Sequence, residues 1–307
     1  MEPSRSRWSR RSLLLGGAAL LAAAGCAPGG ARTGGARNGG GTDQQDVGVQ
    51  TIHYGDHPAQ YAELSLPAGT SLVPVVVVVH GGFWRDAYGA DLGRPLARDL
   101  VNRGWAALNV EYRRVGGSPT DGGGGWPTTC LDVAAAVDTL AVEGQRIAGG
   151  RLDLGRVVAL GHSAGGHLAG WLASRARQAE GAPGANPQVT LSGAVIQAGV
   201  VDLEGGFTAD LGGGAVRGFM GGSPAELAET YAQASPIDRV PLHVPTVCVH
   251  GRSDDVVPIE QSQAFVAAAL AAGDHAELKP FDGDHMDVVD TEHQGWELCV
   301  EALQQLL

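Results

Sequence analysis

The chain has 307 residues, 44% of them hydrophobic and 18% charged, and its 33 Asp and Glu against 21 Lys and Arg give a formal net charge of −12. This composition is that of an ordinary globular protein with enough apolar material for a core. The acidic excess repels nucleic acid and anionic membrane surfaces, so no nucleic-acid partner is expected.

The first 25 residues predict an export signal. A basic segment that ends in Arg10 and Arg11 precedes an apolar run over residues 13–24, which is too short to span a bilayer of ~30 Å. The arginine pair is typical of twin-arginine signals. The following AAGC resembles a bacterial lipobox, which predicts lipidation of Cys26, although Ala23 stands where leucine is more usual. The alternative is a plain secretory signal cut near the same place.

Residues 26–48 are rich in glycine and have almost no large apolar side chain, which predicts a flexible linker. Without residues 1–25 the chain keeps 17 basic and 32 acidic residues, a net charge of −15. Contact with a membrane is therefore expected only through a lipid on Cys26. The protein is expected to be exported, as a cell-surface lipoprotein or a secreted protein.

Residues 49–307 predict one domain in which strands and helices alternate. Predicted strands cover 49–55, 60–67, 74–80, 105–112, 156–162, 191–199, 243–250 and 276–283, and predicted helices cover 90–103, 128–147, 164–179, 259–272 and 291–306. The first two strands read as an antiparallel pair, and the later runs rich in β-branched residues suit central strands. This order indicates an α/β fold with a mostly parallel sheet and helices on both faces. The segment 202–238 is longer than a simple crossover, and we expect it to form a small cap.

The stretch GHSAGG places Ser163 where a predicted strand meets a predicted helix. The pattern G-x-S-x-G is weak alone, since about 0.3 accidental matches are expected in a chain with 48 glycines. At a strand-to-helix turn, however, a serine hydroxyl is exposed above the sheet, as a nucleophile requires. Ser163 is therefore the predicted nucleophile.

A nucleophilic serine needs a base and an acid that orients the base. In this topology both should follow the serine in the chain, the acid first, each at the end of a strand. Asp254 and Asp255 come just after the strand predicted over 243–250, and His285 follows the next one. We assign His285 as the base and Asp254 as the acid, because Asp254 is nearer the strand end; Asp255 remains the alternative.

The segment HGGFWR, residues 80–85, follows a hydrophobic strand. We call it the oxyanion loop. The backbone N–H groups of Gly82 and Phe83, together with that of Ala164 at a helix N-terminus, could surround a developing oxyanion. His80 is expected to be structural.

Together HGGFWR, NVEYRR, GHSAGGHLA and HGRSDDVVP resemble the α/β-hydrolases over residues 49–307. Within that superfamily the chain is similar to the esterase/lipase group with arylformamidases (kynurenine formamidases) and feruloyl/acetyl-xylan esterase-like proteins. The resemblance implies a catalytic domain with the α/β-hydrolase fold, in which Ser163, Asp254 and His285 form the triad. It also implies that no cofactor is needed.

The sequence also bears on the substrate pocket, the cysteines and metal binding. Trp84, Trp126 and Met286 are candidates for lining a substrate pocket, although apolar residues often simply pack. Cys130 and Cys299 could form a disulfide in an oxidising compartment, or remain free. No Cys and His spacing predicts a metal site, and the sequence leaves the oligomeric state open.

The favoured hypothesis is a serine carboxylic ester hydrolase that acts on small or aromatic acyl esters. An arylformamidase, which cleaves a formyl amide, is the alternative; the export signal argues against it. A peptidase of the prolyl-oligopeptidase type would normally carry an additional N-terminal domain. A non-enzymatic surface binding protein on a hydrolase scaffold is disfavoured, because such scaffolds usually lose the serine or the histidine.

Overall fold

The computed structural model describes residues 48–307, so the predicted signal, Cys26 and nearly all of the linker lie outside the described residues. Eight strands form one sheet in the order β1-β2-β4-β3-β5-β6-β7-β8. The pairs β1–β2 and β2–β4 are antiparallel and all other neighbours are parallel. The strands are β1 (Gln50–His53), β2 (Tyr61–Ser65), β3 (Val73–Val79), β4 (Ala106–Val110), β5 (Leu152–His162), β6 (Gly193–Gln197), β7 (Thr246–Gly251) and β8 (Ala276–Phe281).

Helices cover both faces of this sheet. They are α1 (Arg94–Asn102), α2 (Thr128–Asp138), α3 (Glu143–Ala148), α4 (Ala164–Ser174), α5 (Leu203–Thr208), α6 (Ala215–Met220), α7 (Ala228–Ala234), α8 (Glu260–Ala271) and α9 (Gln294–Leu306). In residues 48–307 no helix combines the length and hydrophobicity needed to cross a membrane.

The valine run of β3 shows why the sheet is covered on both sides. Successive side chains of a strand point to opposite faces. Val75, Val77 and Val79 accordingly pack into one core cluster, with α2, α4 and α8. Val76 and Val78 pack into another, with α1 and α9. The predicted α/β-hydrolase architecture with a mostly parallel sheet is confirmed.

Several predicted elements have different limits; the helix predicted over 164–179, for example, ends at Ser174, and the one predicted over 90–103 is interrupted at Gly93. The helix predicted over 128–147 is interrupted after Asp138, where Thr139 Oγ1 donates to the carbonyl oxygen of Ala136 at 2.6 Å. Such a side-chain bond competes with the helical ladder. The fifth strand begins at Leu152, earlier than predicted, with an irregular register against β3.

Cys130 and Cys299 are both free and buried. Cys130 lies on α2 and Cys299 on α9, in the two core clusters on opposite faces of the sheet. The disulfide considered for them is not formed, because the sheet lies between them. Cys248, on β7, is also a free core residue.

The cap, residues 202–238, connects the adjacent parallel strands β6 and β7 and contains α5, α6 and α7. His167, on α4, fastens it through a contact of 3.0 Å between its Nε2 and the carbonyl oxygen of Ala234. The rings of Trp84 and His167 both pack against Phe219 of the cap. The cap is therefore joined to the segments that flank Ser163.

Candidate active site

Ser163 lies between the last residue of β5 and the first residue of α4, with φ 55° and ψ −118°. This is a strained conformation for a residue with a side chain, and such strain costs about 1–3 kcal/mol. Its amide donates to Gln197 O at 2.8 Å, and its carbonyl oxygen accepts from His167 N at 3.1 Å. Gly165 allows the turn to approach β3, since a Cβ there would collide with the Val79 carbonyl oxygen.

His285 and Asp254 form a hydrogen-bonded pair. His285 Nδ1 lies 2.7 Å from Asp254 Oδ2, and the Asp254 side chain is fully buried. The other carboxylate oxygen accepts from the amides of Val256 at 2.9 Å and Val257 at 2.8 Å. Asp255, the alternative acid, is exposed. The geometry therefore favours Asp254.

A second histidine also reaches the same carboxylate. His250, completely buried, has its Nε2 at 3.2 Å from Asp254 Oδ2 and 2.9 Å from the carbonyl oxygen of Val257. Both neighbours only accept, so Nε2 carries the proton. Burial by itself would raise the pKa of Asp254, but the hydrogen bonds from His250, His285 and the Val257 amide outweigh it and hold that pKa well below its usual range. Asp254 is thus a buried carboxylate that stays ionised.

His162 and Gln197 hold the backbone of the loop that carries His285. His162 Nε2 lies 2.9 Å from the carbonyl oxygen of His285, and the two rings lie 4.6 Å apart. Burial, followed by the proximity of His285, lowers the pKa of His162 to about 3, so this ring is neutral near pH 7. Gln197 Nε2 donates to the carbonyl oxygen of Val288 at 2.8 Å.

The Ser163 side chain and His285 lie at the same end of the sheet, and His162 links their backbones. Both residues are buried, with 3% and 6% of their surface exposed. Since Asp254 accepts from Nδ1–H, a neutral His285 presents an unprotonated Nε2. Among residues 48–307 no hydrogen bond joins Ser163 Oγ to His285. Such bonds often tighten only when substrate is bound.

The oxyanion loop lies directly against the serine. A Cβ on Gly81 would lie 3.0 Å from Ser163 Cβ. The next three residues, Gly82, Phe83 and Trp84, all have left-handed backbones, with φ of 111°, 55° and 54°. Within the described part of the chain, the amides of Gly82, Phe83 and Ala164 donate to no other protein group. These predicted oxyanion donors therefore remain free to donate a hydrogen bond to a substrate.

The NVEYRR segment fastens the start of this loop. Glu111 Oε1 lies 3.1 Å from His80 Nε2, and the other oxygen accepts from the Ala90 amide at 2.8 Å. Tyr112 stacks on the His80 ring with centroids 4.4 Å apart and donates its hydroxyl to the His80 carbonyl oxygen at 2.8 Å. His80 is thus a structural residue.

The candidate pocket residues do not share one environment. Trp84 is only 1% exposed and stacks on Phe219 with centroids 4.6 Å apart. Trp84, which was predicted to line a pocket, thus packs in the core cluster of this structure. Trp126 is half-buried against the edge of Trp171. Met286, directly after His285, is 55% exposed and stands at the surface of the site.

Sequence reasoning missed four supporting residues: His162, His250, Gln197 and Glu111. Glu111, His162 and His250 lie inside quoted motifs, but only their contacts give them a role. No group of three or more His, Cys, Asp or Glu in residues 48–307 is arranged to hold a metal ion.

Comparison with known proteins gives the family. The family model described as BD-FAE matches residues 63–269. Esterase LipC of Mycobacterium tuberculosis (strain ATCC 25618 / H37Rv) is 30% identical over 264 residues, which cover 80% of this chain and 61% of LipC. The isoprenylcysteine alpha-carbonyl methylesterase ICME of Arabidopsis thaliana is 29% identical over 262 residues, 78% of this chain and 56% of ICME. The chain spans only about half to three-fifths of the length of these curated relatives.

Solved structures support the fold. Esterase 2 of Thermogutta terrifontis superposes with a TM-score of 0.63 at 21% identity, covering 84% of this chain and 91% of its own. A truncated carbohydrate esterase from gut microbiota gives 0.67 at 18% identity, covering 85% and 98%. With two-thirds of its length matched by the family model and the sheet, helices and strained serine turn in place, the chain belongs to the BD-FAE family of α/β-hydrolase-type esterases.

Proposed function

We propose that the protein is a serine carboxylic ester hydrolase in which Ser163 is the nucleophile, His285 the general base and acid, and Asp254 the residue that orients His285. The observation that carries this proposal is the 2.7 Å bond between His285 and a buried, ionised Asp254, beside a serine held in a strained turn. The esterases among its relatives support the same reaction class.

The reaction has two halves. Ser163 Oγ attacks the acyl carbon while His285 Nε2 takes its proton, and the carbonyl oxygen gains negative charge. In this scheme the amides of Gly82, Phe83 and Ala164 donate to that oxygen, and each such donor typically contributes about 10²–10³ in rate. His285 then passes the proton to the leaving alkoxide as the carbon–oxygen bond breaks. Water, deprotonated by His285, releases the acid from the acyl-enzyme.

Asp254 has two tasks in this scheme. It holds His285 in the tautomer with Nδ1–H, so Nε2 is the acceptor, and it stabilises the imidazolium that forms in each half-reaction. Because His250 and two backbone amides also bind this carboxylate, its orientation is fixed before substrate arrives.

The proposal is tested by hydrolysis of p-nitrophenyl acetate by the wild type and by Ser163→Ala. We expect loss of turnover in Ser163→Ala. The control is Ser174→Ala, a buried serine at the far end of α4 whose hydroxyl donates to the Trp171 carbonyl oxygen and accepts from Gln178 Nε2; it should stay active. Equal activity in wild type and Ser163→Ala would contradict the proposal. A panel of acetyl, butyryl and feruloyl esters then defines the acyl group, and a higher rate on N-formylkynurenine than on every ester would favour the arylformamidase instead.

We also propose that the protein is exported and lipidated at Cys26, with residues 26–48 as a linker to the catalytic domain. The sequence of residues 1–26 supports this. Radiolabelled palmitate should label the wild type in a bacterial host and not Cys26→Ser. Equal labelling of both proteins, or of neither, would contradict it.

A further inference from the structure

The oxyanion loop needs an external support. Phe83 and Trp84 are consecutive residues with side chains in left-handed backbone conformations, directly after Gly82 with φ 111°. Such conformations persist only where the surroundings enforce them. His80, Glu111 and the stacked Tyr112 hold the start of the loop, and within residues 48–307 none of their side chains is hydrogen-bonded to Phe83 or Trp84.

Arg85 holds the other end of the loop. Its amide donates to the carbonyl oxygen of Gly82 at 2.9 Å, which closes the turn around Phe83 and Trp84. Its backbone forms a bridge with Val115. Its guanidinium lies over the Phe83 ring, 5.4 Å from the centroid. Backbone and side chain of one residue thus both act on the segment that carries the predicted oxyanion donors.

The same guanidinium binds the cap. Arg85 Nη2 donates to the carbonyl oxygen of Gly212 and, at 3.3 Å, to that of Gly213. Gly212 also lies so close to the Phe83 ring that a Cβ would collide with it, and its φ of 60° is left-handed. The cap therefore offers two carbonyl oxygens to Arg85, and the backbone of Gly212 packs against the Phe83 ring.

We propose that Arg85 is a positioning residue, which fixes the oxyanion loop against the cap so that the amides of Gly82 and Phe83 face the reacting carbonyl. This inference rests on the proposed esterase function. Arg85 is exposed, so its hydrogen bonds contribute little to folding stability. Its removal acts on the geometry of the oxyanion donors, where a displacement of 1 Å can cost about 10²-fold in rate.

The test compares Arg85→Ala with Arg151→Ala. Arg151 is a matched control, since its guanidinium also donates to two backbone carbonyl oxygens, of Pro67 at 3.0 Å and Ser71 at 3.3 Å. On p-nitrophenyl acetate, kcat of Arg85→Ala should fall roughly 10–100-fold with KM changed less than about twofold. Arg151→Ala should match the wild type in both. Arg85→Lys, which can reach one carbonyl oxygen but cannot stack as a plane, should recover part of the rate.

A second measurement separates positioning from folding. Active sites are titrated to completion with a fluorophosphonate, and affinity is measured for a trifluoromethyl ketone, whose serine adduct places an oxyanion in the same hole. We expect full titration of Arg85→Ala, with ketone affinity reduced in proportion to kcat/KM. Unchanged kcat, or fewer titratable sites with normal turnover per site, would overturn the role of Arg85. An inactive wild type would instead overturn the proposed function.

Discussion

On one side of Ser163 the Asp254–His285 pair is held by buried side chains. On the other side buried side chains hold only the start of the oxyanion loop, and its end is held by its backbone and by contacts with the cap. His250 and His162 are both nearly or fully buried where they bind the carboxylate and the His285 backbone. Arg85, by contrast, is exposed.

This contrast indicates which part of the site tolerates amino-acid substitutions. Substitutions around the Asp254–His285 pair disturb the core, because the side chains that support the pair, His162 and His250, are buried. Changes at the exposed contact between Arg85 and Gly212 of the cap alter the surroundings of the oxyanion donors without removing a buried side chain. Acyl preference is therefore expected to depend on the cap, and the proton-transfer machinery on β7, β8 and the end of β5.

The largest effect should come from the acid–base side. Asp254→Asn is expected to lower kcat by about 10³–10⁴-fold, because an amide cannot hold His285 in the required tautomer or stabilise its cation. The control is Asp255→Asn, which changes an exposed carboxylate beside it and should stay within about twofold. The measurement is kcat on p-nitrophenyl acetate. A larger loss in Asp255→Asn than in Asp254→Asn would reverse the assignment.

Some residues of the site could be predicted from the sequence, and others could not. The places of Ser163, Asp254 and His285 in the fold were predictable because each follows a strand, and the topology orders these strand ends along the chain. His250 and Gln197 were not, since both are polar residues inside buried strands, and a strand pattern does not show which group such a side chain binds; the partner of Gln197, Val288, is also distant in the chain. The burial of Trp84 was not predictable either, because nothing in the sequence indicates its left-handed φ of 54°.

A medium effect on stability is expected where α4 meets the cap. Burial lowers the pKa of His167 to about 4, so the native ring stays neutral while an unfolded chain takes up a proton below pH ~6.5. The unfolded state then binds more protons, and stability falls as pH decreases from ~6.5 to ~4, by about 3 kcal/mol from this residue. The buried His162, with a pKa of about 3, acts in the same direction.

His167→Gln should therefore flatten this pH dependence, because glutamine does not titrate. Urea unfolding at several values between pH 4 and 7 measures it. His53→Gln, at an exposed strand position, is the control and should leave the slope as in the wild type. An unchanged slope in His167→Gln would show that the cap contact does not carry this acid sensitivity.

The smallest effect is expected at the rim of the acid–base side. Met286→Ala should raise KM for aromatic acyl esters by about two- to fivefold with kcat unchanged, because it removes apolar surface of about 1 kcal/mol beside His285. Leu270→Ala is matched in exposure, 55% for both residues, but lies on α8. An equal change in KM in the two variants would remove Met286 from the substrate site.

That Ser163 is the nucleophile is tested most directly by locating the acyl group on the protein. Brief reaction with p-nitrophenyl acetate, acid quench and peptide mass spectrometry should find the acetyl group on the wild-type peptide that contains Ser163, and not on the corresponding peptide of Ser163→Ala. Acetylation of another residue, or sustained ester hydrolysis by Ser163→Ala with no adduct at all, would contradict the account.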